Sequence, residues 1–530
     1  MLLPAAASAA QPAATPLDGR PPLSPSDNRR DPLPDPETAN LSLGKVELGA
    51  RSDIIIREIR FVGSGVPANV ARAARRFVGK PASADNLARL AGVMTRAYSR
   101  SSVALFTLVI PEQDLSGGVV TVASAEGHVG AVTISGEQNS GPVPLIAKMA
   151  GTLPGQRPLP RARSERVLGN IGDIPGVTVT PTLALSGEPG AVVLDLAVDA
   201  KKPTVGLGFT TRTSRFVNDG IVEANARGSS LLRSGDETRL TAAAALNFKS
   251  LLYLAASHST PIGSGGTRAE ISGAALRTRP AGLAVDGEAW SGGLGITHPI
   301  VRATRRNLTL AARLDYLDSR NALFGSTIAA EKTWTASSSL AFRFTEDRTV
   351  LGARIGASKG LGFAGAQVDP GVGEEDFLAV DGGLEANQAV GKVAVIRLAA
   401  TGRWTRDRVP AAQRFSVGGA TFGRAFDDGL VNGDRGVAGF TEVALRPLRS
   451  GKFSKSEIYG FADYADVTLL ARPVIAQTGF QLGSFGGGVR LAYAEYANIG
   501  IEVADAWKQP VPGFDQGWRV ALSWKLSLRP

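Results

Sequence analysis

The chain has 530 residues, a formal net charge of +10 and 63 glycines, a glycine content above the average of globular proteins. Lys and Arg are spread along the whole chain and mixed with Asp and Glu, which argues against a nucleic-acid partner. Cysteine is absent, and His128, His258 and His298 are isolated, so we predict no catalytic residues, no metal site and no cofactor.

The first fifty residues are predicted to contain the end of an export signal and a linker. Residues 1–10 are rich in alanine, and Ala7-Ser8-Ala9 resembles a cleavage site, but the basic region and full apolar core of a secretory signal are missing. Residues 11–36 are rich in Pro, Asp, Ser and Arg and have no periodicity. We interpret residues 1–50 as a signal remnant followed by a Pro-rich linker. A disordered Ala/Pro arm is the alternative.

Residues 51–127 are predicted to form a small α+β module, and residues 128–201 repeat it. The first copy has the order β-α-α-β-β: strand 54–62, helix 67–78, a helix after the N-cap Ser83, and strands 105–110 and 118–122. Each copy is too small for a deep catalytic pocket, which favours a binding module. An edge strand of such a sheet can pair with an extended segment of another chain, and Leu105 to Ile110 is the candidate edge.

Residues 202–530 are predicted to form a 16-stranded antiparallel transmembrane β-barrel. About sixteen segments of about ten residues alternate in polarity, and no apolar run is long enough for a helical span. In the last segment Val520, Leu522 and Leu526 share one face, while Arg519 and Lys525 share the other. A soluble β-sandwich is the alternative, but it would split into separate cores at about half this strand count.

One connection in the barrel is unusually long, and it spans residues 408–435. It contains Gly418-Gly419, then Gly423-Arg424-Ala425-Phe426, then Gly433-Asp434-Arg435-Gly436. Long ordered loops usually exist for function. A solvated external loop would have the same composition, so the spacing alone does not decide between the two readings.

These residues resemble the conserved loop of two-partner secretion transporters of the TpsB type, the haemolysin activator and filamentous-haemagglutinin secretion family. In that family a Val-Arg-Gly-aromatic motif follows a Gly-Gly pair and precedes Gly-Asp-x-Gly. Arg424 and Phe426 match the motif, whereas Gly423 and Ala425 replace its valine and glycine.

The N-terminal modules resemble the POTRA domains of the same family. The matching residues of the first are Ile110-Pro111-Glu112-Gln113 and Glu126-Gly127, and residues 173–177 are similar to a segment of the second. The resemblance covers residues 54–530. It implies a mainly β chain with two α+β POTRA domains, 51–127 and 128–201, followed by the barrel.

The resemblance implies an outer-membrane location in a Gram-negative bacterium, with the POTRA domains in the periplasm. It also implies secretion of a large β-helical exoprotein of the TpsA type through the barrel without ATP. Outer-membrane lipids and the barrel-assembly machinery are the other implied partners. An assembly factor of the same superfamily is the alternative, although such factors usually carry more than two POTRA domains. A passive porin would need neither the modules nor the loop.

The family pairs its loop arginine with an aspartate in a Phe-x-Asp-x-Gly strand. Its counterpart here is Phe461-Ala462-Asp463-Tyr464-Ala465, in which Ala465 replaces the glycine. The resemblance therefore implies a bidentate pair of Arg424 with Asp463; the alternative is that Asp463 only lines water. The candidate substrate-binding residues are Leu105, Thr107, Val109, Ile110, Pro111, Gln113 and Gly127. The candidate loop and lumen residues are Gly419, Arg424, Phe426, Gly433, Asp434, Gly436, Phe461 and Asp463.

Overall fold

The structure is a computed structural model that describes residues 53–136, 141–188, 190–214, 217, 220–280, 284–323, 326–448, 450–473, 475–514 and 517–528. The predicted signal remnant and linker at residues 1–50 lie outside this part. The chain divides into two compact units, and the boundary between them falls at Lys201 and Lys202. Among the described residues, no helix is both long enough and apolar enough to cross a membrane.

The first α+β module has the predicted element order. Its elements are Glu58–Gly63, Ala68–Arg75, Ala84–Tyr98, Phe106–Val109 and Val119–Glu126. The last strand is central in the sheet, and it pairs in parallel with the first strand and antiparallel with Phe106–Val109. Phe106–Val109 therefore lies at an edge of the sheet.

Apolar side chains at helical spacing hold the two helices of this module against its sheet. Leu87, Leu90 and Met94 are buried in one core with Val120 of the central strand. The second helix begins as predicted, because the backbone N–H of its first turn donates to the hydroxyl of Ser83 at 3.4 Å.

The second module repeats the order β-α-α-β-β. Its elements are His128–Gly136, Val143–Ala150, Arg161–Gly172, Val177–Leu185 and Ala191–Ala200. The last strand is again central in a three-stranded sheet. Because Val177–Leu185 is an edge strand, its internal Pro181 removes no hydrogen bond from the centre of the sheet.

Backbone hydrogen bonds join the two modules within the N-terminal unit. The N–H of Ala104 donates to the carbonyl of Leu159 at 2.9 Å. The guanidinium of Arg161 donates to the carbonyls of Ser101 and Val103, each at 2.9 Å. Burial lowers the pKa of Arg161, as expected for a cation placed between two modules. The segment from Ser101 to Ala104 thus contacts the second module, and it lies just before the edge strand Phe106–Val109 in the chain.

Among the described residues, sixteen long antiparallel strands close into a barrel, which confirms the predicted fold class. They are Thr204–Thr210, Ile221–Ser229, Glu237–Ala245, Leu251–Ile262, Thr267–Thr278, Val285–Arg302, Arg306–Leu323, Ser326–Glu346, Thr349–Gly360, Leu378–Val390, Ala394–Thr405, Arg435–Leu445, Glu457–Leu469, Thr478–Tyr493, Ala497–Lys508 and Arg519–Leu528. The two-residue strand Gln367–Val368 pairs with Ser326–Glu346. The last strand pairs with the first and closes the barrel.

We call the end of the barrel at Thr204 and Leu528 the proximal end, and the opposite end, at Thr405 and Lys508, the distal end. The side chains alternate between the two faces of the wall, as the sequence predicts. In the last strand Val520 is 65% exposed on the outer face, whereas Ala521 is buried on the inner face. The outer face of the wall is therefore the apolar one.

We expect the Tyr98 hydroxyl to make the stability of the first module depend on alkaline pH. This hydroxyl donates to Glu126 at 2.9 Å, and burial, with that carboxylate beside it, raises the pKa of Tyr98. A raised folded-state pKa gives stability that is complete below about pH 10 and is lost as the pH rises further. Tyr98→Phe should remove this loss and cost about 1 kcal/mol of unfolding free energy at neutral pH.

The measurement is urea unfolding followed by the helical circular-dichroism signal, because the α-helices of the described residues lie between Ala68 and Gly172. Tyr496→Phe, at a half-exposed position in the barrel unit, is the matched control. An unchanged alkaline loss of stability in Tyr98→Phe would contradict this assignment.

Candidate functional site

The connection predicted as long spans residues 406–434, which we call the long loop. It contains a short helix at Ala411–Gln413 and a hairpin of Phe415–Val417 with Val431–Gly433. At its tip the backbone of Gly418 and Gly419 has φ of 108° and 101°. Only glycine adopts this conformation at low cost, and a Cβ on Gly418 would lie 2.3 Å from a backbone oxygen. The Gly-Gly pair is therefore a requirement of the turn.

The tip of the long loop lies inside the barrel. Arg424 is 1% exposed, and Phe426 is fully buried, with its ring 6.3 Å from that of Phe514. The carboxylates that the guanidinium of Arg424 contacts, on Glu442 and Glu502, belong to the inner face of the wall. The loop enters at the distal end of the barrel, and Glu442 lies close to the proximal end of its strand. Since Asp463, which accepts N–H groups of the tip, lies midway along its strand, the tip reaches about the middle of the lumen, and the side chain of Arg424 extends further toward the proximal end.

The predicted ion pair of Arg424 with Asp463 is corrected by the structure. Nη1 of Arg424 donates to Glu442 at 3.0 Å and to Glu502 at 3.3 Å. Asp463 instead accepts the backbone N–H groups of Gly423 at 2.9 Å and Arg424 at 3.1 Å. The tight turn at the tip leaves these N–H groups without partners of its own, and buried N–H groups need an acceptor. Asp463 therefore holds the loop backbone, and it does not merely line water.

Glu442 is the acceptor at which three arginines meet. Besides Arg424, it accepts Nη1 of Arg397 at 2.7 Å and both terminal nitrogens of Arg490 at 2.8 Å. Its side chain is fully buried. A buried carboxylate is tolerated only when charge-assisted hydrogen bonds satisfy its oxygens, and these contacts do so.

The contacts continue from Glu442 along the inner wall in both directions. Glu457 accepts Arg397 at 2.6 Å and Arg446 at 2.9 Å. Glu502 forms an ion pair with Arg212 and accepts the hydroxyl of Tyr459 at 2.6 Å. We call this set the arginine–glutamate network; its members are Arg212, Arg397, Arg424, Arg446, Arg490, Glu442, Glu457 and Glu502.

Aromatic rings support two of these guanidinium groups. Arg424 lies 4.3 Å from the ring centre of Phe461, and Arg490 lies 3.6 Å from that of Tyr459. The neighbouring strand carries glycine opposite both rings. A Cβ on Gly486 would lie 3.0 Å from the Phe461 ring, and one on Gly488 would lie 2.7 Å from the Tyr459 hydroxyl. These glycines make room for the rings.

A second buried ion pair holds the base of the long loop. Both oxygens of Asp434 accept the guanidinium of Arg472 at 2.9 Å. Asp434 also accepts the N–H groups of Val409 at 2.9 Å and Leu470 at 2.7 Å. This is the bidentate geometry that was predicted for Arg424, but it is found at the distal end.

The glycines on either side of Asp434 are required by close packing. A Cβ on Gly433 would lie 2.6 Å from the carbonyl oxygen of Thr468, and one on Gly436 would lie 2.7 Å from that of Asp466. The guanidinium of Arg414, also at the base, is buried beside Arg472, and this lowers its pKa to about 10. Arg414 stays charged at neutral pH.

The candidate substrate-binding residues of the first module divide into exposed and internal positions. Thr107 is exposed on the edge strand and Val109 is half-buried. Pro111 is exposed, whereas Ile110 is buried in the module core. The exposed positions belong to the strand edge and its end, where another chain has access.

Two further candidates serve the module itself. The side-chain amide of Gln113 accepts the N–H of Thr121 at 2.6 Å and donates to its carbonyl at 2.9 Å. It thus continues the strand ladder after Phe106–Val109 has ended. Gly127 donates its N–H to the carbonyl of Leu105 at 2.8 Å, and a Cβ there would lie 3.0 Å from Leu105. These contacts explain why glutamine and glycine stand at these positions.

Sequence reasoning missed most of the arginine–glutamate network. Glu442 and Glu502 occupy inward positions of regular strands, so alternation marks them as lumenal without distinguishing them from other polar residues that face inward. Arg472 lies in a short connection beyond the strand Glu457–Leu469, where the sequence carries no signal. Among the described residues, the arrangement is a loop inside a pore that buried ion pairs hold at its tip and at its base.

Known proteins resemble the chain both in sequence and in fold. A family model described as haemolysin secretion/activation protein ShlB/FhaC/HecB matches residues 234–491. The heme/hemopexin transporter protein HuxB of Haemophilus influenzae is 20% identical over 453 residues, which cover 81% of this chain and 79% of that protein.

Solved structures give the same result for the fold. CdiB from Escherichia coli matches with a TM-score of 0.70 at 16% identity, covering 92% of this chain and 93% of that one. CdiB from Acinetobacter baumannii matches with a TM-score of 0.63 at 18% identity, covering 90% of each chain. BamA from Haemophilus ducreyi lacking POTRA domains 1–3 has a TM-score of 0.54 at 11% identity, covering 89% of this chain and all of that one.

The closed barrel, the loop inside it and these matches define an outer-membrane β-barrel of the transporter class. More particularly, residues 234–491 match the haemolysin secretion/activation family, and these findings together support a two-partner secretion transporter.

We expect Glu442→Gln to release the tip of the long loop. The substitution removes the charge that three guanidinium groups share, and hydrogen bonds to charged groups contribute about 1.5–3 kcal/mol each. Local opening should become about tenfold more frequent or more. Because the chain has no cysteine, Ala425→Cys at a buried tip position can report opening through its rate of maleimide labelling.

Glu385→Gln is the matched control, since Glu385 is an inward glutamate that is 28% exposed and whose ion pair with Arg343 is long, at 3.7 Å. Labelling at equal rates in Glu442→Gln and in the unmodified background would show that Glu442 does not hold the tip.

Proposed function

We propose that the chain secretes an unfolded exoprotein from the periplasm to the cell surface through its barrel. The observation that carries the proposal is the tip of the long loop, which lies deep in the lumen and is held by charges of the inner wall. A polypeptide can pass only when this loop moves, so the ionic contacts of Arg424 control access. The transport is independent of ATP, and the chain is not an enzyme.

The N-terminal modules act as two periplasmic POTRA domains, residues 51–127 and 128–201, that receive the exoprotein in extended form. The open edge of Phe106–Val109 supports this role, because an edge strand offers unpaired main-chain groups to a second chain. Exposed Thr107 lies on that edge, so it is the better candidate for contact with the exoprotein than Gln113 or Gly127.

The partner of this transporter is a large β-helical exoprotein of the TpsA type. Outer-membrane lipids surround the barrel, and the barrel-assembly machinery inserts it. Folding of the exoprotein at the cell surface favours outward movement, because a folded chain cannot return through the lumen.

The similarity to BamA makes an assembly factor the second candidate, but this likeness extends to the fold alone. A passive porin is disfavoured, since a loop held by buried ion pairs obstructs diffusion.

We expect Arg424→Ala to change export of the exoprotein, because losing about 1.5–3 kcal/mol from the charged contact that seats the loop makes the loop leave its seat about tenfold more often or more. The measurement is the amount of a co-expressed exoprotein at the cell surface, relative to folded transporter in the outer membrane. Arg343→Ala, at a partly exposed arginine paired weakly with Glu385, is the control. Unchanged export by a fully assembled Arg424→Ala barrel would refute the role of the loop.

We expect deletion of residues 54–200 to abolish binding of the exoprotein and to leave a barrel that conducts ions. The barrel strands pair only with one another among the described residues, so they do not need the modules for closure. Pull-down with the exoprotein measures binding, and planar-bilayer recording measures conductance. Retained binding in the deletion variant would contradict the role of the modules.

A further inference from the structure

The outer face of the barrel carries two adjoining cavities near the distal end. The first has a volume of about 460 Å³ and is lined by residues that include Asp466, Gln481, Trp507, Lys508 and Gln509. The second, of about 460 Å³, is lined by Trp404, Arg435 and the same Asp466, among others. Each falls within the volume range of small-ligand sites.

The register of the strands places both cavities on the outside of the wall. Asp466 is paired with Val437 on one side, and Val437 is exposed on the outer face. On the other side Asp466 is paired with Gln481, so the two side chains project from the same face. The cavities therefore open toward the surroundings of the barrel and not into the lumen that contains the long loop.

The chemistry of the first cavity suits a sugar ring. Trp507 is 55% exposed, and its ring stacks on Tyr464 at 5.6 Å, so one flat apolar face is held in place. Asp466 accepts the amide of Gln481 at 2.9 Å, which fixes two planar polar groups beside it. The amide oxygen of Gln509 is buried and has no hydrogen-bond partner among the described residues. An apolar face with carboxylate and amide groups around it matches the C–H face and hydroxyl rim of a sugar.

Two cationic side chains beside the cavities indicate that the ligand also carries an anionic group. Lys508 lines the first cavity and Arg435 lines the second, on either side of the shared Asp466. A ligand that occupies both cavities would place a phosphate near a cation and its hydroxyl groups near the carboxylate.

The position of the cavities on the barrel indicates that their ligand is a membrane lipid. The strands that bear them end at Leu469 and Lys508, and apolar residues exposed on the outer face, including Val437 and Ile501, follow along the same strands toward the proximal end. This is the arrangement of a membrane interface above a lipid-facing band. A free sugar would make no use of that band, whereas acyl chains would pack along it.

We propose that these two cavities bind the phosphorylated sugar headgroup of an outer-leaflet glycolipid, with its acyl chains against the apolar band. That the distal end faces the outer leaflet rests on the proposed function. The binding itself does not, because a nanodisc exposes both ends of the barrel.

The test is equilibrium binding of fluorescent lipopolysaccharide to the full-length chain in phosphatidylcholine nanodiscs. We expect saturable binding that Lys508→Ala weakens about fivefold, the contribution of one cationic side chain near an anionic lipid surface. Trp507→Ala should weaken it as well. Trp290→Ala, at an outward tryptophan that is 65% exposed and lines neither cavity, should leave it unchanged. Each variant is checked for a folded barrel by its heat-dependent electrophoretic mobility.

Three results would overturn the proposal. Equal competition by phosphatidylglycerol would show that these residues only anchor the barrel at the interface. Deacylated lipopolysaccharide that binds as tightly as the intact lipid would exclude a membrane lipid as the occupant. Equal weakening by Trp290→Ala would show that binding is spread around the barrel. Normal export by a variant that no longer binds the lipid would leave the proposed secretion function intact.

Discussion

The burial of charge inside the barrel is the constraint on which the candidate site depends. A carboxylate taken out of water is costly unless charged hydrogen-bond donors surround it. Glu442 meets this requirement with Arg397 and Arg490 of the wall and Arg424 of the long loop. The same carboxylate therefore orders the wall and seats the loop. Losing one hydrogen bond to such a charged group costs about 1.5–3 kcal/mol, which favours the position of the tip that is seen here.

The long loop has two separate attachments, which differ in chemistry. At the tip, Asp463 accepts backbone N–H groups while Arg424 reaches past it to the wall glutamates. At the base, Asp434 and Arg472 form a bidentate pair that shares no residue with the contacts of the tip. A movement that breaks the contacts of the tip therefore does not require the pair at the base to open. In the proposed movement the base of the loop can stay paired while the tip leaves its position.

The sequence predicts the fold more completely than it predicts the contacts of the candidate site. Alternation identified the barrel and its lumenal face, because side-chain direction in a strand depends only on parity. The resemblance identified Arg424, Asp463 and Asp434 as important. It did not give the partner of Arg424, because Glu442 and Glu502 lie on wall strands whose spacing from the loop depends on how the loop folds back. Parity tells which side chains face the lumen, but not which of them a loop will reach.

Most ion pairs of the barrel wall do not involve the long loop, so the proposed movement of the loop would leave the wall carboxylates paired. If the guanidinium of Arg424 moved away, Glu442 would keep its ion pairs with Arg397 and Arg490. Its carboxylate would therefore stay paired within the wall. Glu502 likewise keeps Arg212 and the hydroxyl of Tyr459. No wall carboxylate is then left buried without a partner, and Arg424 itself regains its hydration as it leaves. The loop is held by contacts whose loss leaves the barrel wall paired.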